Sequence, residues 1–154
     1  MNIEAKVGDV SRLILRGACI LFMLALAPSL HGEAQVENFP ELSLQDLAAE
    51  VDKLYEAQPA SAIPYMIEIK TRLTNAMSEE YRGIYRENLY RLGLAHMRWF
   101  EQNAQKETLL AAIPFWDEFI AEFLSDKRHP LAVLNRADSL FATEQWGAAL
   151  DAYL

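Results

Sequence analysis

The chain has 154 residues, 52% of them hydrophobic and 23% charged, which suits one packed domain and leaves little room for a second. Its formal net charge of −8 at pH 7 argues against nucleic acid and anionic lipid headgroups as partners, because a surface of that sign repels phosphate. Cys19 is the only cysteine, so the rest of the chain can build neither an internal disulfide nor a thiolate metal site, and its core must come from packing alone.

At the amino terminus Lys6, Arg12 and Arg16 precede an apolar run over residues 17–30 that Pro28 breaks near its end, and Gly32, Glu33 and Ala34 follow at cleavage-type positions. The pattern predicts a secretory signal peptide over residues 1–34, and hence a periplasmic or extracellular protein. A helical run of 14 residues rises only about 21 Å against about 30 Å of hydrocarbon, so no membrane insertion is expected after cleavage. Cys19 opens the apolar run, whereas a lipid-anchored cysteine would follow it. Removing the segment leaves 11 basic and 19 acidic side chains, and the charge stays at −8.

Residues 35–42 form a polar lead with Pro40 and are expected to be disordered. Ser43 and Asp46 are spaced as a capping box with the shorter acid, and Leu44, Leu47, Val51, Leu54 and Tyr55 recur at three and four residues, which predicts a first helix ending before Pro59. Ser61 is the expected cap of a second helix, with Pro64 in its first turn and Ile63, Met66, Ile67, Ile69 and Leu73 on more than one stripe, as in a helix sandwiched between neighbours. Ser78, with Glu79 and Glu80 behind it, starts a third helix over about residues 79–102. Gly93 lies in the middle of that helix, where glycine costs about 1 kcal/mol relative to alanine, so a close helix crossing is expected there.

After a turn at residues 103–107 a fourth helix, rich in Ile113, Trp116, Phe119, Ile120 and Phe123, is expected to run to about Ser125, with Pro114 in its first turn or at a kink. Residues 126–130 break it. A fifth helix spans about residues 131–143, and a sixth begins near Trp146.

Three stretches along this chain are near-copies: Ala62, Ile63, Tyr65 and Met66; Ala112, Ile113, Phe115 and Trp116; Ala149, Leu150, Ala152 and Tyr153. Together with Leu92 followed by Gly93, and with Ala137, Leu140 and Phe141 placed before a turn, they make the chain resemble tetratricopeptide repeat proteins. The resemblance implies an all-α fold, an α-solenoid of antiparallel helix pairs, in three units over residues 43–77, 78–129 and 130–154, the last incomplete. Departures from the family pattern are the irregular spacing of the copies, Arg136 where leucine is preferred, and Glu144 where the turn glycine is preferred.

Catalytic signatures are lacking: the sequence contains no HExxH, GxSxG or glycine-rich phosphate loop. His96, beside Leu92 and Trp99, reads as a packed structural histidine, and His129, in a turn before Pro130, as a solvated one. The carboxylates Glu87, Glu118 and Glu122 are the remaining material for an active site, and acids on helices usually form a solvated face. No enzyme, cofactor or metal is therefore expected.

In the family the first helix of each pair lines a concave groove. Carried over residue by residue from Leu92 and Gly93, this implies Glu87, Tyr90, Leu94, Met97 and Arg98 in one unit, and Leu134, Asn135, Asp138 and Phe141 in the next. The family positions that grip a terminal carboxylate fall on Arg91 and Asn135, with Glu50 at the equivalent place in the first unit, where an acid would repel such a ligand. The expected function is that of an exported adaptor for a protein or peptide segment. The alternative is the helical arm of an envelope enzyme whose catalytic domain lies beyond Leu154. Residues 146–154 are short for the last helix of a pair and would leave Leu150, Tyr153 and Leu154 wet, so either further repeats or self-association through this end is expected.

Overall fold

The capping box between Ser43 and Asp46 forms as its spacing predicts: Ser43 Oγ accepts the Asp46 backbone N–H at 3.1 Å, and the Asp46 carboxylate accepts the Ser43 N–H at 3.2 Å. This box opens the first of six α-helices in the computed structural model, whose described residues are 39–75 and 78–154. The predicted signal segment, Cys19 and residues 35–38 of the lead lie outside them. The helices are α1 (Leu44–Leu54), α2 (Pro59–Asn75), α3 (Glu79–Asn103), α4 (Lys106–Glu122), α5 (His129–Ala142) and α6 (Trp146–Tyr153). The described residues contain no strand, and no helix among them is long and apolar enough to cross a membrane.

The principal packing contacts run between helices consecutive in the chain, from α1 on α2 through to α5 on α6. Each inner helix therefore needs apolar residues toward two neighbours. In α2 these are Ala62, Met66, Ile69 and Leu73 at spacings of four, three and four, with Ile63 beside them, all buried. Ile67, read from the sequence as part of the second stripe, is instead exposed.

Several boundaries differ from the sequence expectation. The second helix starts at Pro59, two residues before the predicted cap Ser61, so Pro59 takes the first helical position and Pro64 falls inside the helix. A proline fits the first position because the N–H it lacks would have no helical partner there and its φ is already helical. Ser78 has the extended backbone of a cap, but its side chain makes no capping bond. The fourth helix begins at Lys106 and ends at Glu122, with Pro114 in its interior. The carbonyl that Pro114 leaves without an N–H belongs to Leu110, and both residues are exposed, so water can satisfy it.

The lead is folded over its described part. Phe39–Glu41 forms a 3-10 turn, the Phe39 ring meets the Tyr65 ring edge-on at 5.0 Å, and the Arg72 guanidinium donates to the carbonyls of Phe39 and Leu42. Two aromatic side chains and an arginine with part-buried acceptors outweigh the chain entropy that polar composition alone predicts to win.

The core runs from Leu47 in α1 to Ala132 in α5, and its aromatic part lies where α3 crosses α4. The Trp116 indole rests on Gly93 so closely that a Cβ there would stand 2.5 Å from two of its ring carbons. Around it Tyr90 meets Trp116 at 5.4 Å and Phe119 at 5.2 Å, and Phe119 meets Phe123 at 5.4 Å. Such offset and edge-on pairs add about 0.5–1.5 kcal/mol each beyond burial. The close crossing expected at Gly93 is present.

Candidate functional site

A groove of about 550 Å³ opens between α1 and α3. Leu44 and Ala48, one turn apart on α1, form one wall, and Tyr81 and Ile84 on α3 form the other. Val51 and Ile69 lie at its base, both buried, while Ile84 stays 51% exposed within it. Asn88, also buried, donates its side-chain amide to the Met66 carbonyl at 2.8 Å and so ties the groove to α2.

Two charges, Arg91 and Glu87, stand on the rim, and both are held. Arg91 pairs with Asp52 at 3.0 Å and lies 4.3 Å over the Tyr55 ring, which binds α1 to α3 through a charge and a π face at once. Arg98, two helical turns further along α3 and outside the groove lining, lies 4.5 Å over the same ring and pairs with Glu56 at 2.8 Å. Burial raises the Tyr55 phenol pKa, against the pull of the two arginines. On the opposite sign, Glu87 accepts from Arg128 at 2.6 Å.

Arg128 is itself anchored by the Asp126 carboxylate, at 3.0 and 3.2 Å, and by the Tyr90 face at 4.5 Å. The Asp126 side chain is only 6% exposed. Hydrogen bonding to Arg128 lowers its pKa to about 2 in spite of that burial.

Of the nine residues read from the sequence as groove-lining, Glu87 alone lines this groove. Tyr90 is corrected outright: it is 6% exposed and packed between Trp116 and Phe119. Asn135 is likewise buried, with its Nδ2 unpartnered among the described residues. Leu94 and Met97 are half-buried against the core, and Arg98 is engaged with Tyr55 and Glu56. Leu134, Asp138 and Phe141 are exposed, on α5 and away from this groove. Sequence reasoning missed Leu44, Ala48, Ile84 and Asn88 as lining residues. The available signal was Ile84, an apolar residue one position off the buried stripe of Tyr85, Leu89 and Leu92.

The carboxylates weighed as catalytic material are spoken for separately. Glu118 accepts from Lys70 at 3.0 Å and from the Tyr85 hydroxyl, joining α2, α3 and α4. Glu122 borders a second, polar depression of about 410 Å³ beside Arg82, Arg86 and Asp126, where Arg86 pairs with Asp126 at 3.3 Å. The described residues include no group of three or more His, Cys, Asp or Glu placed to hold a metal ion. His96 is buried, stacked on Phe115 at 5.5 Å, and neither ring nitrogen has a hydrogen-bond partner among the described residues. Burial pushes its pKa down to about 4, so it is neutral at pH 7. His129 begins α5 half-buried, with its Nε2 shielded and unpartnered.

Fold and groove together define an all-helical protein whose helices pack on their sequence neighbours and leave an apolar cleft between α1 and α3. In comparison with known proteins, no family model, curated protein or solved structure matches the chain.

Proposed function

We propose that the protein is an exported helical-repeat adaptor, similar to tetratricopeptide repeat proteins, that holds a short segment of another protein in the groove between α1 and α3. The observation that carries this reading is the groove itself. It is apolar along its length and bordered by charges already fixed by Asp52, Tyr55 and Arg128, so little side-chain ordering remains to oppose binding. The α1 and α3 helices are the first members of successive pairs, the helices that line the concave side in the repeat family. A segment with two or three apolar side chains one helical turn apart fits such a cleft.

The reading is tested by selecting peptides from a displayed library on the full-length chain. Enriched peptides are expected to lose at least about tenfold in affinity with Ile84→Asp and to be unaffected by Ile67→Asp, which changes an exposed apolar residue outside the groove. Equal retention by both variants, or no enrichment, contradicts it. Tyr90→Ala is unsuitable as a groove variant, because it would open a cavity in the aromatic core.

A further inference from the structure

Tyr81, Ile84, Asn88 and Arg91 recur at three, four and three residues, so they form one stripe of α3 along the groove. Where the apolar part of that stripe would continue from Ile84, an asparagine stands instead. Asn88 is 7% exposed and lines the groove together with the buried Val51 and Ile69.

The orientation of its amide follows from its partner. The Met66 carbonyl can only accept, so the atom that meets it at 2.8 Å is Nδ2, and the remaining polar atom of the side chain is the acceptor Oδ1. No described residue donates to Oδ1. Unlike Nδ2 of Asn135, which is shut inside the protein, it opens on the groove. Tying α3 to α2 uses Nδ2 alone and leaves Oδ1 unspent.

We propose that Oδ1 of Asn88 selects the occupant of the groove: the bound segment carries a neutral hydrogen-bond donor on the same face as its apolar side chains, and Oδ1 accepts it. The inference rests on the adaptor reading and deepens it by naming what the segment contains. An occupant that seals the groove with apolar atoms alone takes Oδ1 from solvent and leaves it unpaired, which weakens binding about tenfold to a hundredfold. A carboxylate would meet the negative end of the amide dipole. A cationic donor would be desolvated against Val51 and Ile69, and the carboxylate of Glu87 beside them is already paired with Arg128. The fitting groups are therefore a hydroxyl, an amide N–H or an indole N–H. Asn88 lies one helical turn from Ile84, so in a helical segment the donor falls three or four residues from the apolar side chain that rests on Ile84.

Peptides selected on the full-length chain from a displayed library test this. A serine, threonine, asparagine, glutamine or tryptophan is expected at a fixed position three or four residues from an apolar anchor. Replacing it in the peptide by an apolar residue of similar size is expected to weaken binding at least about tenfold on the native chain and less than about twofold on Asn88→Leu. Peptides that bind and are lost with Ile84→Asp, but lack a donor at a fixed position or weaken equally on both chains, overturn the role of Asn88 and leave the adaptor reading standing. If Asn88→Leu does not fold, the peptide substitution on the native chain decides alone, and a loss under about twofold overturns the proposal. No enrichment, or binding indifferent to Ile84→Asp, defeats the adaptor reading and this inference with it.

Discussion

The indole of Trp116 occupies the space that a side chain at Gly93 would need: a Cβ there would lie 2.5 Å from its Cε2 and Cζ2. Nothing lies within 4 Å of the corresponding point on Gly83, ten residues earlier in the same helix. Opposite effects of the same substitution follow. Gly93→Ala should destabilise by roughly 1–3 kcal/mol through overpacking, and Gly83→Ala should stabilise by about 0.5–1 kcal/mol through lower unfolded-chain entropy. Urea midpoints at constant m-value decide it, and equal shifts would mean that α3 and α4 do not cross there.

Ala104 closes α3 in the left-handed region at φ 54, its N–H bonded to the Phe100 carbonyl at 2.7 Å. Helices that end this way usually place glycine or asparagine at that position, since a Cβ costs about 1–2 kcal/mol there. Ala104→Gly is therefore expected to raise stability by about 1 kcal/mol, read as an increase in Tm of several degrees. No change would show that α3 ends differently in solution.

His96 gives a pH-dependent contribution whose direction is set by burial. Its folded pKa is about 4 against an ordinary 6.5, so between those values the unfolded chain takes up the proton and the folded chain does not. Stability from this group is complete above about pH 6.5 and is lost as pH falls toward 4. His96→Phe keeps the stacking on Phe115 and removes the titration. The variant should exceed the native chain in stability by roughly 2 kcal/mol more at pH 5 than at pH 7.5, by denaturant titration at both. A constant difference would show that the imidazole is not buried.

Asp126 acts in a lower window. Its carboxyl is held at about 2 against 3.8, so its contribution is complete above about pH 4 and disappears as pH falls through 2. Asp126→Asn leaves Glu87 as the only charged partner of Arg128, and should cost roughly 1–3 kcal/mol at pH 7 while flattening the acid limb below pH 4. An unaltered acid limb would mean that the Arg128 pair does not persist.

Local features of the fold were legible in the sequence, and features set by the register between helices were not. The Ser43 cap and the Gly93 crossing each follow from a few neighbouring residues and one steric rule, and both are present. The choice between Pro59 and Pro64 at the start of α2 was not, because either satisfies the first-turn rule, and the tertiary burial of Ala62 and Met66 decides how early the helix begins. Tyr90 was misplaced by following a family alignment over the helix's own geometry. It stands three residues before Gly93, hence on the same face, and that face is covered by Trp116. The groove depends on how α1 is set along α3, a relation fixed by Arg91 reaching Asp52 across 39 residues of chain and Tyr55 beside it. Neither helix carries it alone.

The adaptor reading is tested most directly by the footprint of a selected peptide on the chain, measured by amide hydrogen exchange with and without ligand. Slowed exchange is predicted in two separate segments, residues 44–51 of α1 and residues 81–91 of α3, with α5 and α6 unchanged. Protection confined to α5 and α6, or none at saturating peptide, would contradict a binding groove between α1 and α3.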